Sequence, residues 1–200
     1  LGTDGDAALV MDTTTAVLIG RPDRKLLVAL VGDELGRSLL IEQDVAEAAC
    51  AALPAWIARP FVVHALPRPV RVDTPLPPGV VVSAPLDPAL LIGLPDDIRA
   101  DAAGAPAAAV RIVDQVPVAI CAVSDQTEKL WDVGIDTVEP ARRQGHATAV
   151  FRALAEAQAA EGRQPVWAAY EDYPPSLLLA ARLGFQPVAH MIELFPPADR

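Results

Sequence analysis

Residues 142–147 read Arg-Arg-Gln-Gly-His-Ala, two cations and a glycine directly ahead of a run with helical spacing. Ala147, Val150, Phe151, Leu154 and Ala157 recur at intervals of three and four, which predicts a helix from about Gln144 to Ala160. A helix start leaves several N–H groups unpaired and presents the positive end of its dipole. Gly145 and Ala147 are small, so a ligand can approach the backbone closely. Such a turn suits an anion, most naturally a phosphate or pyrophosphate. It equally suits a solvated basic loop, because short glycine motifs recur by chance. Neither GxxxxGK[ST] nor GxGxxG occurs, so this is not a P-loop and not the dinucleotide fingerprint.

Just upstream, "KLWDVGIDTV" (129–138) alternates as a strand does. Asp132, Gly134 and Asp136 share one face; Trp131, Val133 and Ile135 share the other. A carboxylate on a strand leading into an anion-binding turn can act as a general base, or can simply pair with an arginine or water. Glu171 and Asp172 could attract a cation, although a charged pair in a loop is usually just solvated. Trp131 and Trp167 are expected in the core.

Charge and composition narrow the partners. The 200-residue chain carries a formal charge of -10, which argues against a nucleic-acid surface and mildly favours neutral or cationic partners. No run of about 18 apolar residues predicts a membrane span. The start, "LGTDGDAALVMD", lacks the features of a secretory signal, so a cytoplasmic location is the expectation. The two cysteines, Cys50 and Cys121, form no CxxC, and His64, His146 and His190 are scattered. Buried free thiols and no metal site are expected.

The elements that must hold these residues follow from local patterns. Residues 15–31 read as two short strands around a turn at Arg21-Pro22-Asp23, and 43–58 as a helix ended by Pro54. Eight of the 20 prolines fall between Pro60 and Pro88, which suggests a crossing segment with one strand at Gly79–Ser83. A short helix fits 90–103. Residues 107–114 and 116–125 form a hairpin turning at Asp114-Gln115, followed by the strand at 129–138. The long helix ends at Gly162. A strand fits 165–170, a helix 174–185 with proline in its first turn and Gly184 at its end, and a strand 186–195. The order β-β-β-α-β-α-β from 107 onward implies an α/β (α+β) fold, a mixed sheet with two crossover helices. The domain expectation is an N-terminal α/β region at 1–88 and a second domain at 89–200.

Three segments in order and register carry a resemblance to the GNAT acetyltransferase superfamily over about residues 105–195. "RRQGHA" fits R/Q-x-x-G-x-G/A through Arg142, Gly145 and Ala147. "WDVGIDTVEPARRQGHAT" resembles E-I-G-x-x-T-x-x-x-x-R-x-x-G-x-A of a bacterial branch similar to zwittermicin-type self-resistance acetyltransferases. "PVWAAYEDYPPSLLLAARLGF" resembles that branch's P-x-W and N-x-x-S-x-x-L-A-x-x-L-G-F, with Trp167, Ser176, Leu179, Ala180, Leu183, Gly184 and Phe185 in register.

The resemblance implies the GNAT fold and acetyl transfer from acetyl-CoA, without a metal, to a primary amine of a small molecule or peptide. It implies cofactor contacts at Thr137, Val138, Arg142, Arg143, Gln144, Gly145, His146, Ala147 and Thr148, with an oxyanion donor on the backbone around Val138. Asp132 takes the place of the family's strand glutamate and is the first candidate base; Asp136 is the second. Departures from the pattern are Tyr173 for asparagine, Pro140 for a proline nearer the threonine, and Ala180 where many members carry a tyrosine acid. Tyr173 or Tyr170 would have to protonate the leaving thiolate, if any side chain does. Ala180 and Tyr173 therefore keep a second function open, a non-catalytic GNAT-like module that binds CoA or a protein partner. The apolar helix faces are compatible with a homodimer.

Overall fold

The computed structural model describes residues 7–11, 15–22, 24–31, 37–68 and 75–197. Asp23, in the expected first turn, and residues 69–74 of the proline-rich stretch lie outside them. The chain forms two compact units, one of residues 1–63, 169–179 and 187–200, the other of 64–168 and 180–186.

In the first unit, β1 (Ala7–Met11) pairs antiparallel with β2 (Thr15–Gly20), and β2 parallel with β3 (Ser38–Glu42). β3 pairs antiparallel with β10 (Gln186–Phe195), in the register Met191–Glu42 and Ile192–Ile41, and β4 (Ile57–Ala65) follows β10. Helices α1 (Arg24–Val31) and α2 (Ala46–Ala52) pack on each other. The core gathers Leu18, Leu27, Leu39, Ile41, Ala49, Ile192 and Leu194.

Three expectations fail here. Residues 24–31 form a helix, not a second strand. A short apolar run of leucine, valine and alanine fits either state, and burial of Leu27 in the core selects the helix. Pro60 stands inside a nine-residue strand rather than a crossing segment. Its carbonyl accepts the Glu171 N–H at 3.1 Å. Cys50 is only partly buried, against expectation, whereas Cys121 is fully buried and desolvation pushes its thiol far up.

The second unit follows the expected order. Its strands lie β9-β8-β7-β6-β5: β5 (Val80–Ser83), β6 (Ala108–Val113), β7 (Val116–Gln126), β8 (Leu130–Thr137) and β9 (Gln164–Tyr170, of which 164–168 lie in this unit). The β6–β7 turn holds Asp114 and Gln115 at φ 49° and 66°, the left-handed pair of a tight hairpin. One face of this sheet carries α3 (Asp96–Ala102), with Leu91, Leu94, Ile98 and Ala102 packed on Ala108, Val110, Ile120 and Ala122. The other carries α4 (His146–Ala160), whose Phe151 stacks on Trp131 and meets Trp167 and Phe185 edge-on or tilted. Both tryptophans are 1% exposed and are core, as expected. α5 (Pro174–Arg182) closes at Gly184, φ 94°, with the Phe185 N–H donating to the Ala180 carbonyl. His64 is a structural histidine, its ring 3.3 Å from the Trp167 carbonyl. Among the described residues no helix is long and apolar enough to cross a membrane.

Candidate functional site

Strand β8 positions the site. Its alternation is as the sequence implies: Trp131 and Val133 are buried on the α4 side, while Gly134 and Asp136 open onto a cavity on the α3 side. Pairing with β9 is parallel and spans only Leu130–Asp132 against Gln164–Val166. β8 continues five residues beyond that pairing, to Thr137. On its other edge β8 pairs antiparallel with β7, Gly134 opposite Ala122 and Asp136 opposite Ile120. An antiparallel ladder alternates which residues bond across it. The Val138 N–H donates to the Val118 carbonyl at 3.0 Å, so Val138, Asp136 and Gly134 bond toward β7. The N–H groups of Ile135 and Thr137 therefore face the opposite edge, where β9 pairing has ended. The expected oxyanion donor at Val138 is thus corrected: its N–H is already used.

The loop after β8 makes one turn of 3₁₀ helix, Glu139–Ala141, then runs extended through Arg142. Arg143 takes φ 62° and Gly145 φ 83°. Gly145 is the N-cap of α4 and supplies no side-chain cap. Its carbonyl accepts the Ala149 N–H at 3.1 Å, so the N–H groups of His146, Ala147 and Thr148 have no helical acceptor. A Cβ built on Gly145 would meet nothing within 4 Å, so that side of the backbone is open to a ligand. The Arg142 Nε donates to the Thr137 carbonyl at 3.1 Å and the Gln144 amide to the Pro140 carbonyl at 3.1 Å, which fixes both ends of the loop. Neither Arg142 nor Arg143 forms an ion pair among the described residues. Unpaired N–H groups, a helix dipole and two unpaired cations fit a pyrophosphate.

The cavity, about 330 Å³, is lined by Ile98, Asp101 and Ala102 of α3, Ile120, Ala122 and Ser124 of β7, and Gly134 and Asp136 of β8. Gly134 makes room for the Ser124 hydroxyl, which a Cβ there would run into. Burial raises the Asp136 pKa, the nearby Asp101 and Asp97 raise it further, and Arg142 pulls it down. Burial also raises Asp132, with Asp125 adding to the rise and the Val133 N–H opposing it. Asp132 shares the strand face but does not line the cavity, so the runner-up carboxylate from the sequence has the better placement. Asp101 had no signal in the sequence beyond the acidic pattern of "DDIRADA"; only folding brings it to Asp136.

Both candidate tyrosines belong to the first unit. Tyr173, in the first unit, is 52% exposed. The Tyr170 hydroxyl donates to Glu193 at 2.5 Å and its ring lies 3.5 Å beneath the Arg59 guanidinium. Burial and Glu193 push its phenol up to about 12. Tyr170 is committed to that network. Ala180 is fully buried.

Residues 109–191 match the family model described as GNAT acetyltransferase. The fold is similar to solved structures at low identity. A GCN5-related N-acetyltransferase-like protein from Streptococcus suis is 18% identical at TM-score 0.62, covering 94% of this chain and 82% of its own. A GCN5-related N-acetyltransferase from Kribbella flavida is 18% identical at TM-score 0.61, covering 97% and 91%. A tandem GNAT protein from the clavulanic acid biosynthesis pathway is 17% identical at TM-score 0.62, covering 100% and 82%. No curated protein matches the chain in sequence. The mixed α/β architecture is that of the GNAT fold.

Proposed function

We propose that this chain, whose residues 109–191 match the GNAT acetyltransferase family model, transfers an acetyl group from acetyl-CoA to a primary amine. The observation that carries the reading is continuity within one unit. The open loop at Arg142–Thr148, the unpaired end of β8 and the Asp136 cavity follow one another along the chain. Acetyl-CoA would supply a thioester carbon for attack. Arg142, Arg143 and the N–H groups of His146, Ala147 and Thr148 hold its pyrophosphate. The Ile135 or Thr137 N–H faces the place where the acetyl oxygen gains negative charge and stabilises it there. Asp136 accepts the proton of the attacking amine; its raised pKa makes it a stronger base than an ordinary aspartate. Solvent protonates the departing thiolate, whose low basicity makes a dedicated acid dispensable. Buried Ala180 and committed Tyr170 are consistent with that economy.

The narrower likeness to zwittermicin-type resistance enzymes rests on the sequence segments alone. The likeness to a tandem GNAT protein along the whole chain supports reading the N-terminal region as a reduced second GNAT half. The non-catalytic alternative predicts CoA binding without turnover.

The first test is a thermal melt with and without CoA. Saturating CoA is expected to raise the melting temperature by about 5 °C or more through binding to the folded form. No shift would remove the cofactor reading and with it the proposed reaction.

A further inference from the structure

The cavity beside β8 is more acidic than acetyl transfer requires. One carboxylate suffices to take a proton from an amine, and Asp136 fills that role. Asp101 is surplus to it, yet it lines the same cavity from α3. Asp97 stands four residues earlier on the same helix face, and its charge is felt at Asp136. Among the described residues, Arg142 is the cation that lowers the Asp136 pKa, and no basic side chain lines the cavity. The rest of the lining is apolar, Ile98, Ala102, Ile120 and Ala122, with the Ser124 hydroxyl between. Gly134 lets the Ser124 hydroxyl stand against the strand backbone by carrying no side chain.

A neutral or singly charged acceptor would leave the Asp101 and Asp136 side chains, both exposed along the cavity lining, without an answering charge. An acceptor carboxylate would add a like charge. A second positive charge on the acceptor would answer them, and a short aliphatic spacer would cover the apolar residues. A volume near 330 Å³ lies at the lower end of the roughly 300–1,000 Å³ typical of small-molecule sites.

We infer that the acceptor is a short aliphatic amine carrying a second cationic group, its reacting nitrogen at Asp136 and its second cation at Asp101. This deepens the acetyl-transfer reading and rests on it for the chemistry, though not for the binding. The reacting ammonium first releases one proton to solvent, and the neutral amine then attacks the thioester carbon. Its second proton passes to Asp136 as the C–N bond forms and the C–S bond breaks. CoA leaves as a thiolate that solvent protonates, and the second cation stays protonated.

The test compares 1,4-diaminobutane, butylamine and 4-aminobutanoate on the full chain. Binding is measured by calorimetry without acetyl-CoA, and turnover by thiol release with it. The diamine is expected to exceed butylamine by about twofold to fivefold, the usual worth of an ion pair to an exposed carboxylate such as Asp101. 4-Aminobutanoate is expected to be weakest. Asp101→Asn should shrink the diamine-to-butylamine ratio toward one, and Asp101→Glu should restore it. Equal binding of diamine and butylamine, preference for 4-aminobutanoate, or an unchanged ratio in Asp101→Asn would each overturn the inference. A diamine preference lost in Asp101→Asn, with no thiol release from any amine, would uphold the inference and sink acetyl transfer instead. Absence of diamine binding, whatever the turnover, would overturn it.

Discussion

Two clusters of polar side chains in this molecule differ in what they leave unpaired. In the first unit, Arg59 donates to Asp172 at 3.0 and 3.3 Å and lies over Tyr170, which in turn donates to Glu193. Glu171 and His190 stand 3.2 Å apart. Every charge there has an answering group. In the second unit, Asp132, Asp136, Arg142 and Arg143 form no ion pair among the described residues, and the first N–H groups of α4 lack acceptors. The paired cluster is complete without a ligand, whereas the unpaired groups are poised for an anion and an amine. Polar groups left unsatisfied at a loop and cavity mark function better than the number of charges does.

The contrast can be broken first at Gly145. At φ 83° a β-branched residue is strained, and it would also cover the open side of the backbone. Gly145→Val is expected to weaken CoA binding by about a hundredfold or more, as two or more charge-assisted hydrogen bonds are lost. Calorimetric titration with CoA measures it; wild-type affinity would mean the loop does not hold the cofactor.

Asp132 sharpens the contrast through stability. Its folded pKa is raised, so between the ordinary value and the raised one the folded chain keeps a proton that the unfolded chain has released. Stability therefore falls as pH rises through that window and stays lower above it. Asp132→Asn should melt higher than wild type at neutral pH, and the gain should vanish below the ordinary aspartate pKa of about 3.9. An equal or lower melting temperature at neutral pH would contradict the burial argument. Asp172→Asn should do least: exposed ion pairs contribute little. Its melting temperature should fall only slightly and CoA affinity should not change; a large loss of CoA affinity would erase the distinction between the clusters.

Much of the second unit was legible because period and punctuation agreed. The two faces of β8, the Asp114-Gln115 hairpin, the apolar stripe of α4 and the Gly184 stop each rest on residues near one another in sequence. The rest depended on long-range pairing. Val138 loses its N–H to Val118, 20 residues away, and Tyr170 loses its hydroxyl to Glu193, 23 residues away. Asp101 reaches the site only because α3 folds over β7 and β8. Residues 24–31 misled because their apolar run suits a strand or a buried helix equally.

The most direct test of the account is the yield of acetylated amine, followed by mass spectrometry at saturating acetyl-CoA, for wild type and Asp136→Asn. Loss of a general base predicts a fall of about 10²–10⁴-fold in rate with CoA affinity unchanged. An Asp136→Asn protein that acetylates its amine as fast as wild type would contradict it.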